Sequence, residues 1–119
     1  EIAGVGLTSQ EAKEQDIEVE VGTFPFSASG KALTQGETEG QVRLLCEPGS
    51  GRVLGMHVMG PDASDLIAEG ALAVQLGVTA REIAETIHAH PTLPEAVAEA
   101  ARAVAFGEPI HFQRLRKRN

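Results

Sequence analysis

Gln41-Val42-Arg43-Leu44-Leu45-Cys46 and Arg52-Val53-Leu54-Gly55-Met56-His57-Val58-Met59 are two apolar runs separated by Glu47-Pro48-Gly49-Ser50-Gly51. Short apolar runs flanking a Pro- and Gly-containing break predict an antiparallel hairpin with a longer turn. After it the period changes. Ala63, Leu66, Ile67, Gly70, Ala71 and Val74 recur at three and four, which predicts a helix ending at Gly77. Thr79 with Glu82 has capping-box spacing and predicts a short helix to about Thr86. Thr92 with Glu95 has the same spacing and opens a helix to Phe106, before Gly107 and Pro109. Strands first and helices after predict an α+β fold, an antiparallel sheet with helices packed on one side.

Upstream of the hairpin the signals are weaker. Residues 2–7 read as a short extended segment, and Thr8 with Glu11 predicts a brief helix over 9–15. Ile17, Val19 and Val21 alternate with acidic residues, the period of a strand with one face buried. Phe24-Pro25-Phe26 and the stretch to Gly40 read as a loop with at most one helical turn near Lys31. The chain opens on Glu1 with an apolar stretch already under way, so we expect it to be cut from something longer.

Composition narrows the function. The 119 residues suit one compact domain, with 42% hydrophobic and 23% charged side chains, an ordinary globular balance. The aromatics are four Phe with no Tyr or Trp, too few for a base-stacking surface. Four of the ten basic residues sit at Arg114, Arg116, Lys117 and Arg118, leaving six against seventeen acidic residues in the body. Such a body repels phosphate backbones, so no nucleic-acid partner is expected. Residues 114–119 read as a solvated, disordered basic tail, and 1–113 as the folded domain. No apolar run has the length of a membrane span. The single Cys46 excludes an internal disulfide and a CxxC pair, and reads as an inert buried thiol.

Between 93 and 106 the polar residues are Glu95, Glu99 and Arg102, one narrow stripe on an otherwise apolar helix. Such a helix must be covered on several sides. One small sheet covers only one of them, so a second subunit or another domain is expected to cover the rest.

The chemistry-bearing residues crowd into His88-Ala89-His90-Pro91-Thr92-Leu93-Pro94-Glu95. A carboxylate that reaches a histidine fixes its tautomer and stabilises the imidazolium. Glu95 follows His90 by five residues across two prolines, so a sharp turn can bring them together. The same Glu95 stands where a capping-box Glu bonds back to the Thr92 N–H. A carboxylate has two oxygens, so cap and dyad are compatible. His88 and His90 also form an HxH pair, the start of a metal site or of a small metal-dependent hydrolase. Cys46, His57, Asp62 and His111 are loose further ligands without a recognisable spacing, and no metal is assigned. His57 and His111 read as structural or surface residues. Gly4-Val5-Gly6 lacks the third Gly and the helix of a dinucleotide fingerprint, and no P-loop lysine pattern occurs.

The stretch from His88 to Glu95 resembles the C-terminal signature of the flavin-dependent pyridine nucleotide–disulfide oxidoreductases, in the form typical of dihydrolipoamide dehydrogenase. Ile2-Ala3-Gly4-Val5-Gly6-Leu7-Thr8 is similar to that family's strand leading into its interface domain. Gly55-Met56-His57-Val58-Met59-Gly60-Pro61, followed by Ala63-Ser64-Asp65-Leu66-Ile67, is similar to its strand-to-helix junction. The resemblance covers nearly the whole chain.

The resemblance implies a dimerisation domain, with the homodimer's active site shared between two subunits. It makes His90 the acid–base group sent across to the partner subunit's redox disulfide and flavin, with Glu95 as its carboxylate partner. It places Pro91 near that flavin and makes the His90–Pro91 peptide cis. It also implies FAD and NAD domains in the parent chain, with neither cofactor bound by this stretch alone. The implied substrate is the dihydrolipoamide of a 2-oxoacid dehydrogenase or glycine cleavage complex, in the cytoplasm or, in a eukaryote, the mitochondrial matrix. A non-catalytic dimerisation module and a glutathione- or mercuric-type reductase are the alternatives. Two departures stand out. Pro94 replaces a small polar residue, which a helix's first turn tolerates. The cofactor fingerprints and the cysteine pair are absent, so this stretch alone cannot turn over.

Overall fold

The computed structural model describes residues 1–107; His111 and the basic tail, with the 113/114 boundary, lie outside the described residues. The hairpin forms as predicted, with β3 Gln41–Cys46 antiparallel to β4 Val53–Met59 in the register Val42↔Val58 and Leu44↔Met56. In the turn the Ser50 hydroxyl donates to the Glu47 carboxylate at 2.7 Å. β1 Ile2–Gly6 pairs with the far edge of β4, and β2 Glu20–Pro25 pairs with β3. The order is β1-β4-β3-β2, antiparallel throughout.

Alternation sends Phe24, Val42, Leu44, Met56 and Val58 to one face, where they form the core with the helices. α3 Ala63–Leu76 lies over β1 and β4 on that face, and α5 Glu95–Ala105 lies over β2 and β3. α4 Ala80–Glu85 packs against α5. On the other face Leu45 is wholly buried, and the start of α1 Ser9–Glu14 lies beside Arg43, whose guanidinium donates to the Ser9 hydroxyl at 3.4 Å. There the His57 ring donates from Nε2 to the Leu7 carbonyl at 2.9 Å, a structural role.

Two capping boxes close as the spacing predicts, Thr8 with Glu11 and Thr79 with Glu82. α3 stops at Gly77, whose φ of 68° is the left-handed cap that glycine adopts without strain. Cys46 is buried, and burial with the nearby Glu20 charge pushes its thiol up to about 12, which makes it inert.

Three expectations need correction. The strand expected over Ile17, Val19 and Val21 starts at Glu20, and its buried face is Gly22 and Phe24. Val21 is exposed. Counting apolar side chains gave the wrong phase because Gly22 has none: a Cβ there would strike the Ala100 carbonyl of α5. The loop expected after Phe24 is shorter and more ordered. The strand runs to Pro25, a 3-10 turn follows at Phe26–Ala28, and α2 spans Gly30–Gln35 with Phe26 wholly buried.

The third correction concerns the cover of α5. Its Ala96, Val97, Ala100 and Ala101 are buried within this one chain, between the sheet and α4. Its small alanines let both neighbours approach, so less of the helix needs outside cover than its composition suggested. Within the polar stripe Glu99 is itself buried, at 6% exposure.

Candidate functional site

The chain leaves α4 when Thr86 turns extended, its hydroxyl donating to the Glu82 carbonyl at 2.7 Å. Ile87 then stands 97% exposed, and the next residues return toward α5. The His90–Pro91 peptide is cis. Pro94 opens α5 in helical conformation, at an end where its missing N–H has no helical partner to lose.

This return brings the two predicted residues together. His90 Nδ1 lies 3.0 and 2.9 Å from the two carboxylate oxygens of Glu95. A carboxylate only accepts, so Nδ1 carries the proton and Nε2 the lone pair of the neutral ring. Nε2 has no partner among the described residues, and the His90 side chain is 72% exposed. Glu95 is steadied from the other side, where the Thr92 N–H donates to Oε1 at 2.9 Å.

Cap and dyad therefore coexist, but the capping box is only half formed. The Thr92 hydroxyl donates to the Ala89 carbonyl instead of accepting from the helix, so the N-terminus of α5 has no side-chain cap. Beside the pair lies a cleft of about 260 Å³ between α2 and α5, walled by Phe24, Leu33 and Ala96 with Ser29 and Glu99. A hollow of about 350 Å³ occupies the opposite sheet face around Arg43 and His57, away from His90.

His88 does something else. Its Nδ1 lies 2.8 Å from the Thr86 carbonyl and its Nε2 2.8 Å from Glu69 on α3, with 9% of the side chain exposed. The HxH pair thus points to two different carboxylates. Among the described residues no three His, Cys, Asp or Glu side chains converge on a metal position. Glu69 was missed from sequence. The available signal was its isolation as the one acidic residue in the apolar middle of α3, from Leu66 to Val74.

Gly4 and Gly6 belong to an antiparallel edge strand, with Gly6 against the Leu54 carbonyl, so these two glycines do not form the phosphate-cradling turn between a parallel strand and a helix. Among these residues no helix is long and apolar enough to cross a membrane.

The pyridine nucleotide-disulphide oxidoreductase dimerisation domain matches residues 1–101 of this chain. Dihydrolipoamide dehydrogenase of Chaetomium thermophilum is 49% identical over 94% of this chain and 22% of its own length. The human mitochondrial dihydrolipoyl dehydrogenase is 45% identical over the same shares. The crystal structure of LpdA from Mycobacterium tuberculosis superposes with a TM-score of 0.81 at 32% identity, over 85% of this chain and 22% of that one. The chain spans about a fifth of the length of these relatives, as their 22% shares show.

Proposed function

Because this chain belongs to the pyridine nucleotide-disulphide oxidoreductase dimerisation-domain family, we propose that it is the interface domain of a dihydrolipoamide dehydrogenase. In this reading it joins two copies of a longer protein and supplies His90, backed by Glu95, to the active site of the other copy. The observation that carries the reading is the His90 ring itself, with Nδ1 held by Glu95 and a lone pair on exposed Nε2. The relatives at 45–49% identity favour dihydrolipoamide over a glutathione- or mercuric-type substrate. The exposed Leu72, Leu76, Ile87 and Phe106 support a homodimer. FAD and NAD belong to the rest of the longer protein. The mitochondrial dihydrolipoyl dehydrogenases of mouse and human among the relatives support a matrix enzyme in a eukaryote, and the cytoplasm is the counterpart in a bacterium.

The chemistry assigned to this chain is proton transfer. Dihydrolipoamide reacts as a thiolate, so one thiol must first lose its proton. His90 Nε2 takes that proton, and the Glu95 carboxylate faces the imidazolium that forms. The substrate thiolate then attacks a disulfide of the longer protein, forming a mixed disulfide and releasing one cysteine thiolate. The released cysteine thiolate takes the proton of the second substrate thiol, whose sulfur then attacks the mixed disulfide, closes the lipoamide ring and releases the other cysteine as a thiolate, so two electrons pass from dithiol to disulfide.

The test is His90→Gln in the longer protein, with reduction by dihydrolipoamide followed through flavin absorbance. The rate should fall by about 10²–10⁴, the contribution of a positioned acid–base group. Reduction at the wild-type rate, with flavin content and oligomeric state kept, overturns the reading.

A further inference from the structure

Residues 87–94 carry His90 between two helices, yet most of their hydrogen bonds close locally. The Thr92 hydroxyl returns to the Ala89 carbonyl, and both the Thr92 N–H and the His90 ring end on Glu95, at the start of α5. Buried Leu93 packs into the core and holds the C-terminal side of the stretch. On the N-terminal side, the hydrogen bond that reaches outside the connection and its flanking helices, among the described residues, runs from His88 Nε2 to Glu69 at 2.8 Å. It crosses to α3, the longest helix described, which is packed on β1 and β4.

Both ring nitrogens of His88 lie against protein oxygens and the side chain is nearly buried, so neither nitrogen is open to a substrate. What it can do is hold the chain. His90 stands two residues away, between this anchor and Leu93. A catalytic ring needs placement within a fraction of an ångström of its target, and an unanchored connection between helices does not supply it.

We propose that the Glu69–His88 pair positions His90, by fixing to α3 the segment from which the His90 ring projects. The proposal rests on the reading of His90 as the acid–base group; Glu69 and His88 act through it and touch no substrate.

Two measurements test this with Glu69→Ala, Glu69→Gln and His88→Asn. The first is imidazole nitrogen NMR of the 119-residue chain, recorded where His90 is neutral. Wild type should show the Nδ1–H tautomer that Glu95 selects. Glu69→Ala and His88→Asn should move His90 toward a tautomer mixture, and Glu69→Gln, which keeps an acceptor oxygen, should restore the wild-type signal. The second is turnover in the longer protein, where Glu69→Ala should lower kcat about tenfold with KM little changed and Glu69→Gln should recover most of it.

An unmoved tautomer in both Glu69→Ala and His88→Asn overturns the proposal, as does a moved tautomer with unchanged kcat. A His90→Gln variant run alongside separates the two readings. If it is fully active, the acid–base role fails; if it is impaired while Glu69→Ala is normal, the role stands and the positioning fails.

Discussion

Two histidines two residues apart each face a glutamate at hydrogen-bond distance, and their surroundings give them opposite capacities. His90 is 72% exposed, with one nitrogen on Glu95 and the other open. His88 is 9% exposed, with one nitrogen on Glu69 and the other on the Thr86 carbonyl. A His–carboxylate pair is therefore not a catalytic signature by itself. Under the function and positioning proposed above, the open lone pair makes the base, and the closed ring makes an anchor.

The largest effect that can break this contrast comes from exchanging each imidazole for an amide. His90→Gln should cost about 10²–10⁴ in reduction by dihydrolipoamide while the unfolding midpoint of the chain barely moves, since an exposed substitution changes stability by about 0.5 kcal/mol or less. His88→Asn, whose shorter amide mimics only the Nδ1 side of the ring and does not reach Glu69, should show the reverse weighting. It leaves a partly buried carboxylate short of its donor, at a cost of about 1–3 kcal/mol, with about a tenfold rate loss. Paired denaturant curves and half-reaction rates check both. Equal losses on both axes would dissolve the distinction.

The two pairs also differ in how readily sequence reveals them. His90 and Glu95 are five residues apart with Pro91 and Pro94 between them, so local chain geometry alone can close the contact. Glu69 lies nineteen residues before His88, and only the packing of α3 beside the α4–α5 connection brings them together. The fold divides along the same line. The hairpin, the two complete capping boxes and the end of α3 are local events and were legible. The phase of β2 was not, because the buried position at Gly22 is defined by a helix arriving from much later in the chain. The third capping box failed for a local reason that spacing does not carry, the diversion of the Thr92 hydroxyl to Ala89.

The mounts of the two glutamates give the next effect. Glu95 rides on α5, whose Ala100 carbonyl presses on Gly22 of β2. Backbone meets backbone there, so Gly22→Ala must push helix and sheet apart, and should cost about 1–3 kcal/mol. Glu69 rides on α3, where a Cβ at Gly70 would lie nearest the Met56 side chain, with Cε at 2.7 Å, Cβ at 2.9 Å and Sδ at 3.0 Å. The thioether end of Met56 can rotate while its Cβ stays with the strand, so part of the clash remains, and replacing a helical glycine by alanine returns about 1 kcal/mol, so Gly70→Ala should be the milder of the two. Thermal unfolding of the two variants gives the ranking. A reversed order would mean that α5 is the more tolerant mount.

The smallest effect lies at the start of α4, the helix that delivers the chain to His88. Glu82 accepts from the Thr79 N–H at 2.9 Å and from its hydroxyl at 3.1 Å. These hydrogen bonds hold its carboxyl below the usual glutamate range. The folded state thus binds the proton less readily than the unfolded chain. The cap's contribution is fully present above the unfolded value of about 4.5 and is lost as pH falls through the lower folded value. Glu1, held down by its bonds to Ser64, adds a loss in the same acid window. Comparing wild type with Glu82→Gln removes that background, because Glu1 is common to both. Wild type should melt slightly higher near neutral pH, and the gap should close as pH drops below about 4.5. The amide of the variant can still accept from Thr79 but carries no charge to interact with the helix N-terminus, so the gap measures the charged part of the cap. A gap that stays constant down to pH 3 would show that this carboxylate does not stabilise α4 through its charge, leaving the connection to His90 held by Leu93 and the Glu69–His88 bond.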